Sequence, residues 1–171
     1  MSSLLAAVIL SWASPTTVLM QGSAVNTIDP CAFISAADVE ALTGEKVRGR
    51  PRDRHRTLAG LESYHCRYPG DNFTVVVSLE TGRTPDDLTL YLKMLGAVVS
   101  RETSSSLKPV SGIGDRAWWG AVNPTNGILH IVRGTDVMAV QTYGKGPGAG
   151  TLEKTRAIAD KVFATYQKIR K

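Results

Sequence analysis

The sequence predicts an α+β fold: an antiparallel twisted sheet of about five strands with three helices packed on one face. Three observations carry that reading. Segments of alternating polarity stand between tight-turn signals, helical periodicities are few and lie apart from them, and short turns join most strands where parallel pairing would need long crossovers.

Ser35 opens the first helix, about Ala36 to Thr43, with Asp38 three residues on as its reciprocal capping partner. Gly44 suits the left-handed turn that ends it, and Val39 and Leu42 are its apolar contacts. Two strands follow, "GLESYHCRYPG" and "DNFTVVVSLET", around the turn Pro69-Gly70-Asp71-Asn72. In the second, Phe73, Val75, Val77 and Leu79 share one face, while Thr74, Val76, Ser78 and Glu80 share the other.

Thr84-Pro85-Asp86-Asp87 starts a second helix, with a capping Thr, a Pro at the first position and acids in the first turn. Leu88, Tyr91, Leu92 and Leu95 recur at its spacing, and Gly96 weakens its end before a polar connection, "SRETSSSLKP". Three further strands, about Ala117–Val122, Ile128–Arg133 and Val137–Tyr143, form a meander around glycine- and asparagine-bearing turns. The last helix is the clearest element, with Leu152, Thr155, Ala159, Val162, Tyr166 and Ile169 at three- and four-residue steps.

The 171 residues are 43% hydrophobic, 6% aromatic and 20% charged, a balance that suits one compact domain from residue 28 to 171. It excludes a disordered or membrane-embedded chain. Residues 1–24 carry no charged side chain, and their apolar run from Leu4 to Ala13 is shorter than the roughly 20 residues a membrane span needs. The segment reads as a removed export signal, or else as an N-terminal arm without fixed structure. The mature chain then has no membrane span and is extracytoplasmic, periplasmic or secreted.

The formal net charge is +5, and most of it is local. Lys46, Arg48, Arg50, Arg52, Arg54 and Arg56 stand against Glu45 and Asp53, a net +4 over twelve residues. In extended chain the alternating arginines line one side, a comb for phosphates, an anionic surface or an acidic partner; the plainer reading is a solvated loop. Nucleic acid is disfavoured, because no stacking aromatic interleaves the run.

Cys31 and Cys66 are the only cysteines. Cys31 follows Ile28-Asp29-Pro30, far from the apolar run, which is not the setting of a lipid-anchored cysteine. Neither thiol has a catalytic signature, and His65 and Cys66, adjacent in a strand, point to opposite faces and serve one metal poorly. No metal or other cofactor is expected. A disulfide closing a loop of about 35 residues fits an oxidising compartment, and two buried free thiols in a cytosolic protein are the alternative.

"GKGPGAGT", residues 144–151, lacks the Gly-Lys-Ser/Thr of a phosphate loop and reads as a connector. "SGIGDRAWWG" is a tight turn feeding a strand. Its Trp118 and Trp119 alternate faces, so one could hold a ring-shaped or lipid-like ligand, with His130 in the neighbouring strand.

Asp29-Pro30-Cys31 leading into "SAADVEALTG", then Cys66-Arg67-Tyr68, Gly112-Ile113-Gly114-Asp115-Arg116-Ala117 and an amphipathic C-terminal helix resemble a broad group of bacterial secreted and lipoprotein domains, abundant in actinobacteria and mostly of unknown function. The layout over about residues 28–168 is also similar to the extracellular sensor domains of some mycobacterial receptor kinases. The resemblance implies an exported α+β domain with a Cys31–Cys66 bridge, non-enzymatic, with a ligand cleft on the sheet. It supplies no catalytic residues, and this chain lacks the lipoproteins' lipid-attachment cysteine.

The expectation is therefore an exported, non-enzymatic binding or accessory domain of the bacterial cell envelope, whose partner is a small ligand or envelope component. The rivals are a small hydrolase using His65 or His130 with an acid such as Asp115, and an interaction or inhibitor protein using the arginine-rich segment 46–56.

Overall fold

A computed structural model describes residues 28–170 apart from positions 50, 59–60, 82–83, 103–106, 124 and 146–148, and omits the side chains at 52–53, 58, 61 and 98–102. The leading segment 1–24 and Arg50 lie outside the described residues. One seven-stranded antiparallel sheet runs through the molecule in the order β1-β2-β3-β7-β6-β5-β4. Its strands are β1 (Arg52–Leu58), β2 (Leu61–Pro69), β3 (Phe73–Thr81), β4 (Lys108–Pro109), β5 (Arg116–Asn123), β6 (Asn126–Arg133) and β7 (Asp136–Gly144). The helices are α1 (Ala36–Thr43), α2 (Pro85–Glu102) and α3 (Leu152–Ile169), with a 3₁₀ turn at Pro30–Ala32.

The α+β class and antiparallel pairing match the sequence reading, but the sheet has seven strands where about five were expected. The two additions are its edges. β4 is two residues long and contains a proline. β1 is the arginine run itself, seven residues paired along their length with β2. Its polar, charged sequence hides a strand that is specified by backbone pairing to its neighbour and not by a buried apolar face.

The helices also differ from expectation, since they cover both faces. On the inner face Val75, Val77, Leu79, Leu129, Ile131, Met138 and Val140 are buried against Ile158, Ala159, Val162, Phe163 and Tyr166 of α3, with Val39 of α1 in the same cluster. Each Val, Leu, Ile, Phe or Met among them contributes about 1.5–3 kcal/mol on full burial. Residues of the opposite parity, Val132 and Val137, pack instead with Leu88, Tyr91 and Leu92 of α2. The central strands are apolar on both faces, so one layer of helices leaves half of them wet, and α2 supplies the second layer.

Local devices hold the layers. The Ser35 hydroxyl accepts from the Asp38 N–H, and the Asp38 carboxylate accepts from Ser35 N–H. Lys161 of α3 ion-pairs the same Asp38 at 2.5 Å, tying α3 to α1. Thr142 and Thr155 share a buried 2.7 Å hydrogen bond between β7 and α3. Cys31 and Cys66 are joined by a disulfide, Cα to Cα 5.1 Å. Gly114 sits at φ +64°, where a Cβ would lie 2.6 Å from both Ile131 Cγ2 and the Val132 carbonyl, so the turn before β5 needs glycine.

Candidate functional site

The β1–β2 register sets Arg54 opposite His65 and Arg56 opposite Ser63. With Arg67 two residues beyond His65 on β2, strand alternation puts these groups on the outer face. Arg54, Arg56, His65 and Arg67, together with Arg48, Pro69 and Val76, line a cleft of ≈ 590 Å³. Arg52 occupies the adjacent register position in β1, opposite Arg67, and its side chain is not described. The expected arginine comb is thus a strand, and part of it becomes the wall of a concavity.

The guanidiniums are not equivalent. Arg48 Nε lies 3.0 Å from both Asp71 oxygens, and that hydrogen bond holds the Asp71 carboxyl below its usual range. Among the described residues, Arg54, Arg56 and Arg67 have no carboxylate within ion-pair distance.

His65 is built into a chain of hydrogen bonds. Its Nε2 is 2.6 Å from Ser63 Oγ, and its Nδ1 is 3.1 Å from Ser78 Oγ. Ser63 Oγ lies 2.8 Å from Oε1 of the buried Glu80. With Glu80 ionised, the single Ser63 proton goes to the carboxylate, so His65 donates from Nε2 and accepts from Ser78 at Nδ1. Burial first, then the charges of Arg56 and Arg54, hold the imidazole pKa below its usual value. Burial raises the Glu80 pKa, opposed by the Ser63 hydrogen bond, and Tyr91 of α2 is raised by burial and by the Glu80 charge.

The other candidates lie elsewhere. Trp119 is 7% exposed within the inner core, its ring over Gly127, where a Cβ would sit 1.9 Å from it. Trp118 is half-buried with the α2 cluster, and the Arg116 guanidinium lies 5.6 Å from its ring centroid. His130, directly opposite Trp118, is 2% exposed with neither ring nitrogen hydrogen-bonded, and burial pulls its pKa down to about 4. Asp115 pairs with Arg133 at 2.5 Å and accepts from Gly134 N–H at 2.8 Å, pinning the β6–β7 turn on strands separated from that of His65 by β3. A broader groove of ≈ 760 Å³ near that turn has its carboxylate engaged, because Asp136 bonds Tyr166 and Arg170 at 2.7 and 2.8 Å.

Sequence reasoning did not single out Arg67, Ser63, Ser78 or Glu80. Parity was the available signal: Ser63, His65 and Arg67 alternate in β2, as Ser78 and Glu80 do in β3. Among the described residues no three His, Cys, Asp or Glu side chains are grouped to hold a metal ion, and no helix is long and apolar enough to cross a membrane.

No family model matches the chain, and no curated protein matches it. A solved structure similar to it is the crystal structure of the extracellular domain of PknH from Mycobacterium tuberculosis, at 14% identity and TM-score 0.47, covering 80% of this chain and 94% of that one. The likeness is too low to carry a reading of function.

Proposed function

We propose that the chain is an exported, non-enzymatic binding domain of the bacterial cell envelope, and that it captures an anionic ligand in the cleft walled by Arg54, Arg56 and Arg67. The observation that carries this reading is three guanidiniums in one concavity without carboxylate partners among the described residues. Planar guanidiniums bind oxyanions in pairs of charge-assisted hydrogen bonds, so an unneutralised set of them is a ready receptor for one. The Cys31–Cys66 bridge supports an extracytoplasmic setting, because thiols stay reduced in the cytosol.

The test is co-sedimentation with phosphatidylglycerol vesicles against phosphatidylcholine vesicles, together with titration by inorganic phosphate. Arg54, Arg56 and Arg67 replaced together by Ser lower affinity about tenfold or more for whichever anionic probe binds. Unchanged affinity in that variant sinks the reading.

A hydrolase reading has one observation in its favour, the 3.1 Å contact between Ser78 Oγ and His65 Nδ1, which is nucleophile–base geometry. Ser78 is 9% exposed, which leaves little room for a substrate carbonyl to approach. A stoichiometric burst with p-nitrophenyl acetate that Ser78→Ala removes would favour it over simple binding.

A further inference from the structure

The pairing of β1 with β2 gathers three arginines on one side of His65, while Ser78 and Glu80 of β3 flank its other side. Arg54 lies directly across the strand pair, Arg56 diagonally, and Arg67 two residues along β2. Diagonal neighbours on a sheet face are about 7–8 Å apart, within reach of arginine side chains. A planar carboxylate offers two acceptor oxygens to such a set, whereas a tetrahedral oxyanion offers three or four. The cleft, at ≈ 590 Å³, is also larger than an oxyanion alone, and its Pro69 and Val76 lining leaves apolar room for an organic remainder.

Beside the imidazole, on the same sheet face, stands the relay through Ser63 to the buried Glu80 next to Tyr91 of α2. The relay fixes the tautomer of the neutral ring, and it holds an imidazolium more strongly, because Nε2–H then donates as a charged group toward the Ser63–Glu80 pair. In the empty cleft Arg54 and Arg56 repel a proton from it. A dianion seated among the arginines cancels that repulsion and adds attraction of its own, while Glu80 stabilises the imidazolium through the Ser63 hydroxyl.

Resting on the reading above, we propose that the cleft takes a phosphate monoester dianion and that His65 takes up one proton from solvent as it binds. The imidazolium then donates from Nε2 to Ser63 and from Nδ1 to Ser78, whose own hydrogen turns away from the ring. Among the described residues, the charged and titratable groups around His65 are Arg54 and Arg56 of β1, Arg67 of β2, Glu80 of β3, Tyr91 of α2 next to Glu80, Tyr143 of β7 near Arg67, and the Arg48–Asp71 pair. The proton requirement makes the complex tighter in mild acid, which suits a receptor outside the cytoplasm, where pH is not buffered by metabolism.

Phosphate monoesters titrate near pH 6 themselves, so inorganic sulfate, a dianion from about pH 5 to about pH 8, isolates the contribution of the protein. In calorimetry on the full chain with its disulfide intact, sulfate affinity rises about fivefold from about pH 8 to about pH 6. Heats measured in two buffers of different ionisation enthalpy show net proton uptake. His65→Gln binds sulfate more weakly at the acid end and loses the pH slope. On the unsubstituted protein, the His65 ring resonances titrate about one unit higher with sulfate saturating than without it.

Phosphatidic acid vesicles, whose head group is a phosphate monoester, bind more tightly than phosphatidylglycerol vesicles, whose head group is a diester monoanion. Binding of inorganic phosphate together with phosphatidic acid assigns the head group alone as sufficient, and binding of phosphatidic acid without it assigns a lipid source. Both support the proposal. A flat sulfate affinity with an unmoved His65 titration overturns it, as does equal binding of the two lipids. If either result comes with binding lost in the triple arginine variant, the anion reading survives and the proton-coupled dianion falls. If no anionic probe binds at all, both fall.

Discussion

The Tyr68 hydroxyl donates to the Ile34 carbonyl at 2.6 Å, across 34 residues of sequence, one residue short of the span the Cys31–Cys66 bridge closes. The same hydroxyl lies 3.3 Å from the Cys31 carbonyl. β2 therefore grips the entry to α1 twice, once by a covalent bond and once by a phenol that is 1% exposed. Tyr68→Phe keeps the ring and strands the Ile34 carbonyl in the core. The expected loss is about 1–3 kcal/mol, read as a lower urea midpoint at unchanged m-value; an unchanged midpoint would mean that water replaces the phenol.

The bridge itself acts largely on the unfolded chain. Closing a loop of 35 residues gives about 4 kcal/mol by chain entropy. Replacing Cys31 and Cys66 together by Ala lowers stability by that order, and reductant then has no further effect on the variant. If reductant leaves the original protein's midpoint where it was, the bridge is not a structural staple.

His130 makes stability depend on acid. Its folded pKa of about 4 lies below the value of about 6.5 expected in the unfolded chain, so the unfolded state binds the proton first. The stability it contributes is present above about pH 6.5 and is lost as pH falls toward about pH 4, about 3 kcal/mol in all. His130→Leu removes an orphaned buried ring and flattens that part of the profile. Denaturation midpoints at about pH 7 and about pH 5 decide it, and the same acid loss in the variant assigns the effect to other groups.

The two tryptophans should separate cleanly. Trp119→Ala empties the inner core beside Gly127 and costs about 3–5 kcal/mol. Trp118→Ala removes a half-buried ring shared by α2 and Arg116 and costs less. Equal losses in thermal or chemical unfolding would contradict the two-layer packing.

The sequence carried the ends of α1 and α3 well, because the Ser35–Asp38 cap, Gly44 and the apolar stripe of residues 152–169 are local signals. It did not carry β1, whose alternate positions are arginines and whose strand state exists only by pairing with β2. Nor did it place α2, since Val132 and Val137 read as ordinary strand residues until both faces of β6 and β7 are seen to be covered. The candidate site was half legible. Arg48, Arg54 and Arg56 stand out by composition, but their meeting with His65 and Arg67 depends on one register, and a slip of one residue turns β1 to the other face.

Among the described residues no strand pairs with the outer edges of β1 and β4, and an unpaired edge invites a strand from another molecule. β4 is too short and too interrupted by Pro109 to act as a template. β1 is long enough, and it is Arg54 and Arg56 that discourage stacking, because like charges on opposed edges repel. The residues read above as ligand contacts are thus also the domain's defence against polymerising edge to edge. Variants that remove them carry two effects, a lost anion contact and an unguarded rim. Light scattering separates the two: a variant whose mass in solution matches that of the unsubstituted protein has lost only the contact.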